Sequence, residues 1–115
     1  MEITSKSVGN CKVLNLNGRM VDGVNISALR SAVQEAVKQK PRKVVLNLAN
    51  VNYIDSLGIG ELAYSHTFIK DNGGKLVLTN LPKRIWYQLH VVRLLTVIDN
   101  VDTEEKALEN SFCNG

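Results

Sequence analysis

The chain has 115 residues, of which 44% are hydrophobic and 22% charged, with a formal net charge of +3. That is apolar content enough for one buried core, too little net charge for a disordered chain, and too little length for two ordinary domains. The mild, scattered positive excess does not mark a nucleic-acid binder, and apolar runs such as Val44 to Leu48 and Leu94 to Ile98 fall far short of the ~20 residues that span a bilayer.

In chain order, Ile3 to Val8 and Cys11 to Asn17 read as two strands joined at Gly9-Asn10, with Leu14 and Leu16 alternating with Asn15 and Asn17. After Gly18 the period changes. Ile26, Leu29, Val33, Ala36 and Val37 recur at helical steps, with Asn25 as the expected N-cap and a stop before Pro41. The cluster Lys38, Lys40, Arg42 and Lys43 sits at that helix's end, where cations meet the dipole favourably. Val44 to Leu48 has the pattern of a buried central strand, and Asn50 to Asp55 of a loop. A second helix is expected from Ser56 or Leu57 to Lys70, with Ile59, Leu62, Ala63, His66 and Ile69 on its apolar face and Asn72-Gly73-Gly74 as its stop. Leu76 to Leu78 continues as a strand, Leu81-Pro82 opens a third helix with Ile85, Trp86 and Leu89 turned inward, and Thr96 to Ile98 fits a short edge strand. Asp102 and Glu105 have capping-box spacing before a last helix.

Strands alternating with helices after an opening hairpin give an α/β domain: a mixed, mainly parallel sheet of four to five strands, with about four helices mainly on one side. A single domain over residues 1–115, with a flexible tail at about 111–115, is expected. Met1 to Lys6 has no secretory pattern, so the expected location is cytoplasmic. Cys11 and Cys113 form neither a CxxC pair nor a cluster with His66 and His90, which leaves no metal site and points to free thiols.

Chemistry concentrates in Tyr53-Ile54-Asp55-Ser56-Leu57-Gly58-Ile59-Gly60-Glu61, at the carboxyl end of the central strand, where open α/β sheets place their sites. On spacing alone Ser56 reads as a helix N-cap. Asp55 can cap one position earlier, which would leave the Ser56 hydroxyl free. Gly58 and Gly60 weaken the first turns of the helix and suggest a surface that something else approaches. Enzymatic readings fail: Ile54 breaks a GxSxG elbow, Gly58-Ile59-Gly60 is too short for a dinucleotide fingerprint, and no GK[ST] loop occurs. Asp22 and Asp55 read as solvated loop carboxylates rather than a catalytic pair, His66 as a buried structural residue, and Trp86 and Tyr87 beside Lys83 and Arg84 as core and rim rather than a base-stacking platform.

Asp55-Ser56-Leu57-Gly58-Ile59-Gly60-Glu61 resembles the D-S-x-G junction of the anti-sigma factor antagonist family, whose members are single STAS domains. Gly18-Arg19-Met20, Leu29-Arg30, Asn72 to Leu76, Leu94 to Val97 and Glu104 to Leu108 follow in the family's order. The resemblance implies phosphorylation at Ser56 and a partner surface of Asp22, Asp55, Ser56, Leu57, Gly58, Gly60 and Glu61. It implies as partners an anti-sigma factor that is commonly also a serine kinase, and a serine phosphatase, with no cofactor and no catalysis by the chain itself. A non-switching STAS adaptor or scaffold module is the alternative. Two positions depart from the family pattern. Leu57 stands where many relatives have a small polar residue, and Asp22 falls one position later than usual.

Overall fold

The computed structural model describes residues 1–21 and 23–109. Strands β1 (Glu2–Val8) and β2 (Cys11–Met20) form the opening hairpin. Its turn needs a left-handed residue, and Gly9 supplies it at φ 56. Helix α1 (Gly23–Val37) crosses to β3 (Lys43–Ile54), α2 (Ser56–Asp71) to β4 (Leu76–Thr79), and α3 (Lys83–Val91) with a 3-10 turn (Leu94–Thr96) to β5 (Asp99–Val101); α4 (Glu104–Leu108) follows. The sheet order is β1-β2-β3-β4-β5, antiparallel only at the hairpin.

Alternation along the strands divides the core. Leu14, Leu46 and Leu78 face one side, where Leu29 and Val33 of α1, Leu62 and Ile69 of α2, and Ile85 and Leu89 of α3 cover them. Val13, Val45 and Val77 face the other side under Ala107 of α4. This is the expected mixed α/β architecture, with three of the four helices on one face. Lys43 donates from Nζ to the Ala107 carbonyl at 2.7 Å and so ties α4 down. Burial, with Lys75 nearby, lowers its pKa against the pull of Asp99.

Several local expectations are corrected. The segment expected as a loop from Asn50 to Asp55 is strand as far as Ile54: β2 and β3 continue through two register shifts, and Val51 and Ile54 are buried opposite Gly18 and Met20. The exposed Asn50 and Asn52 belong to the wet side of that extension. Asn25 lies inside the first turn of α1, where its Oδ1 accepts from the Met1 ammonium. Leu94 to Thr96 coils, which moves the edge strand to Asp99–Val101. The cap of α4 is Thr103, accepting from the Lys106 N–H at 3.1 Å, while Asp102 pairs with the Lys106 ammonium. Lys43 belongs to the buried start of β3 rather than to a solvated helix end.

Cys11 is buried and disulfide-bonded, contrary to the expected free thiol. Its strand start pairs with Lys43, over which α4 ends. Cys113 and the expected tail at 111–115 lie outside the described residues. No helix among the described residues is long and apolar enough to cross a membrane.

Candidate functional site

Because β3 runs to Ile54, a single residue separates it from α2. Asp55 is extended there, at φ −115 and ψ −172, and its carboxylate accepts the Gly58 N–H at 3.0 Å. Its carbonyl takes the first helical bond, from the Ile59 N–H at 2.9 Å. Asp55 is therefore the N-cap. Ser56 becomes the first helical residue, exposed, with its hydroxyl bonded to no group among the described residues. The cap reading of Ser56 is corrected in favour of its neighbour.

The two glycines separate in role. A Cβ on Gly58 would overlap the Met20 carbonyl oxygen and come within 2.7 Å of Ile54 Cγ1, so this residue lets α2 rest on the ends of β2 and β3. The close approach it permits is to Met20 and Ile54. Gly60 is exposed with open space around its Cα.

Glu61 also faces inward. It is 3% exposed, and its carboxylate receives Arg30 Nη2 at 2.8 Å and Nε at 3.2 Å across the α1–α2 seam. The guanidinium lies 4.0 Å from the Tyr64 ring centroid. The Glu61 hydrogen bond raises the Arg30 pKa, outweighing the opposing effect of burial. Gly58 therefore supports the surface from beneath, and Ser56, Leu57 and Gly60 form it, with the buried Glu61 in its lining and Asp55 half-buried at the edge.

Ser56, Leu57 and Gly60 share an open groove of about 340 Å³ with Gly23, Ile26 and Arg30 of α1. Leu57 at 61% exposure, with Ile26 in the lining, gives the groove an apolar character that solvent alone does not favour. Arg30 and Ile26 were legible as helical positions in the sequence but not as groove residues, because that depends on how α1 meets α2. Asp22 lies outside the described residues.

No histidine is hydrogen-bonded to Ser56, and His66 is half-buried farther along α2 rather than in the core. Among the described residues no group of three His, Cys, Asp or Glu side chains could hold a metal ion. What the geometry offers is an exposed hydroxyl at a helix N-terminus, bordered by apolar side chains.

Residues 2–107 match the STAS domain family. The chain belongs to that family. TM1081 of Thermotoga maritima is 22% identical, with 93% of this STAS domain and 92% of that chain covered and a TM-score of 0.84. The Bacillus anti-sigma factor antagonist SpoIIAA in its unphosphorylated form is 19% identical over 94% and 96%, at a TM-score of 0.73. A sulfate transporter family protein from Wolinella succinogenes is 20% identical over 86% and 82%, at 0.76. At these identities the likeness is one of fold, and the fold serves more than one role.

Proposed function

We propose that this STAS domain is an anti-sigma factor antagonist switched by phosphorylation of Ser56. Unphosphorylated, it binds an anti-sigma factor that is also a serine kinase, and so releases a sigma factor for transcription; a serine phosphatase resets it. The chain catalyses nothing, and ATP belongs to the kinase.

The observation that carries this reading is the Asp55–Gly58 cap. With that N–H taken by Asp55, Ser56 has no structural duty, yet its hydroxyl stands exposed in a groove with an apolar margin. A phosphate there would add about −1.5 to −2 charges and three acceptor oxygens. The helix N-terminus tolerates that charge, whereas a partner seated on Leu57 and Ile26 would meet a hydrated dianion beside Asp55. Release then comes from a blocked interface and not from refolding. SpoIIAA, which shares the fold, has structures in both unphosphorylated and phosphorylated forms, which is consistent with such a switch.

Incubating the protein and Ser56→Ala with ATP and lysate of the source organism, then mapping phosphate by mass spectrometry, tests the reading. Phosphate on Ser56 of the wild type and none on the variant is the expected result. An unmodified wild type in an active lysate, with partner capture indifferent to Ser56→Ala, favours instead a non-switching STAS adaptor, a role to which the transporter-family relative lends a precedent of fold.

A further inference from the structure

Helix α3 carries a second surface, remote in sequence from the Ser56 groove and unused by the switch. The chain has fourteen Lys and Arg against eleven Asp and Glu. Residues 83–97 contain Lys83, Arg84 and Arg93 and no acid, a local excess of three positive charges on α3 and the turn after it. The same stretch holds five of the eight exposed large hydrophobic residues among those described: Trp86, Tyr87, Val91, Val92 and Val97.

Helical geometry places these features together. With Ile85 and Leu89 buried, Lys83, Arg84, Trp86, Tyr87, His90 and Val91 fall on one outward arc of about 160°. A cleft of about 580 Å³ adjoins the arc, between α3 and the 3-10 turn, lined by Tyr87, His90, Val91, Arg93, Leu95 and Thr96.

Local stability does not account for the arrangement. Lys83 and Arg84 occupy the first turn, where the helix dipole disfavours cations, and Pro82 offers no side-chain cap. An ordinary solvated face mixes both signs of charge and pairs them at i,i+4; this one has cations, aromatics and valines. A helix end built against its own local preferences points to a demand from outside the chain.

We propose that the α3 surface is a second docking site and that its occupant is an acidic, amphipathic segment of a partner protein. The segment's carboxylates meet Lys83, Arg84 and Arg93, and an apolar side chain enters the cleft beside Tyr87 and Val91. Two observations favour a protein segment over a lipid surface. The apolar feature is concave, and one face of the Trp86 ring is already covered by His90, at 4.8 Å between centroids and 10° between planes.

Trp86 is the only tryptophan of the chain, so intrinsic fluorescence reads this surface directly. The intact protein is titrated with three helical peptides of equal length and leucine pattern whose polar positions are glutamate, glutamine or lysine. The expected result is a saturable emission change with the acidic peptide, at least about tenfold tighter than with the glutamine peptide and weakened by salt. Lys83→Glu/Arg84→Glu is expected to weaken it a further tenfold or so, whereas Ser56→Ala leaves it unchanged, which separates this surface from the switch. Because glutamates suit a helix N-terminus, the double variant keeps or raises the wild-type Tm. No response up to about 1 mM acidic peptide, equal affinity for the acidic and basic peptides, or a response only to phosphatidylglycerol vesicles overturns the proposal.

Discussion

Arg30 of α1 grips Glu61 of α2 with two donors, at 2.8 and 3.2 Å, and the carboxylate it holds is almost wholly buried while the guanidinium is half exposed. Both residues line the groove that contains Ser56. Removing the exposed partner leaves an uncompensated charge inside the seam, which is the costly way to break such a pair. Arg30→Met is therefore expected to lower the urea midpoint at unchanged m-value, and Glu61→Gln added to it to recover most of the loss. A double-mutant cycle reads the coupling; additive effects would show that the pair does not join the helices.

The glycines give opposite expectations from the same substitution. Gly58→Ala drives a methyl into the Met20 carbonyl and Ile54 and is expected to cost about 1–3 kcal/mol through overpacking. Gly60→Ala meets nothing and is expected to gain up to about 1 kcal/mol from helix propensity. Denaturant unfolding of both decides the matter. A stabilised Gly60→Ala that also loses its partner would assign Gly60 to the interface.

This pair also shows how far the sequence could be read. The helix beginning near Ser56, its stop at Asn72-Gly73-Gly74, the buried strand before it and the hairpin were legible because apolar spacing and turn residues report local conformation. The strand extension to Ile54 was hidden, since the two register shifts each add a residue to β3 against β2 and so change which residues of β3 face the core. Gly58 was singled out, but whether it faces Met20 or a partner depends on packing between elements, and the same holds for Glu61 and Arg30. The disulfide at Cys11 was missed because local cysteine spacing carries no signal for it.

Capping separates Asp55 from Ser56. Asp55→Ala removes the acceptor of the Gly58 N–H and is expected to cost about 1 kcal/mol. Ser56→Ala removes no hydrogen bond among the described residues and should fall within about 0.5 kcal/mol of wild type. Thermal unfolding of the two proteins measures both, and the reverse order would return the cap to Ser56.

Glu104 sets part of the acid response. Burial pushes its pKa up, but hydrogen bonds from Lys6 and Asn47, the Lys6 charge and Asn15 outweigh it and hold the carboxyl below its ordinary 4.5. A group depressed in the folded state contributes stability in full above its unfolded value, and loses that contribution as pH falls through the folded one. Glu104→Gln is therefore expected to destabilise the protein at neutral pH and to flatten the loss of stability below about pH 4.5. Urea midpoints at neutral and acid pH test this; parallel acid limbs for wild type and variant would remove Glu104 from the account.

The proposed switch makes a structural prediction about its own charge. Ser56→Asp places a carboxylate in the first turn of α2, where the dipole favours an anion by about 0.3–1 kcal/mol, so the variant should be at least as stable as the wild type. Amide shifts in a two-dimensional NMR spectrum should be confined to the groove, around Gly23 to Ile26 and Asp55 to Glu61. Partner binding, meanwhile, should fall sharply, as it would if an apolar contact at Leu57 had acquired a charge beside it. Widespread shifts across β4 and α3, or a lowered Tm, would mean that charge at Ser56 reorganises the fold, and the blocked-interface mechanism would fail.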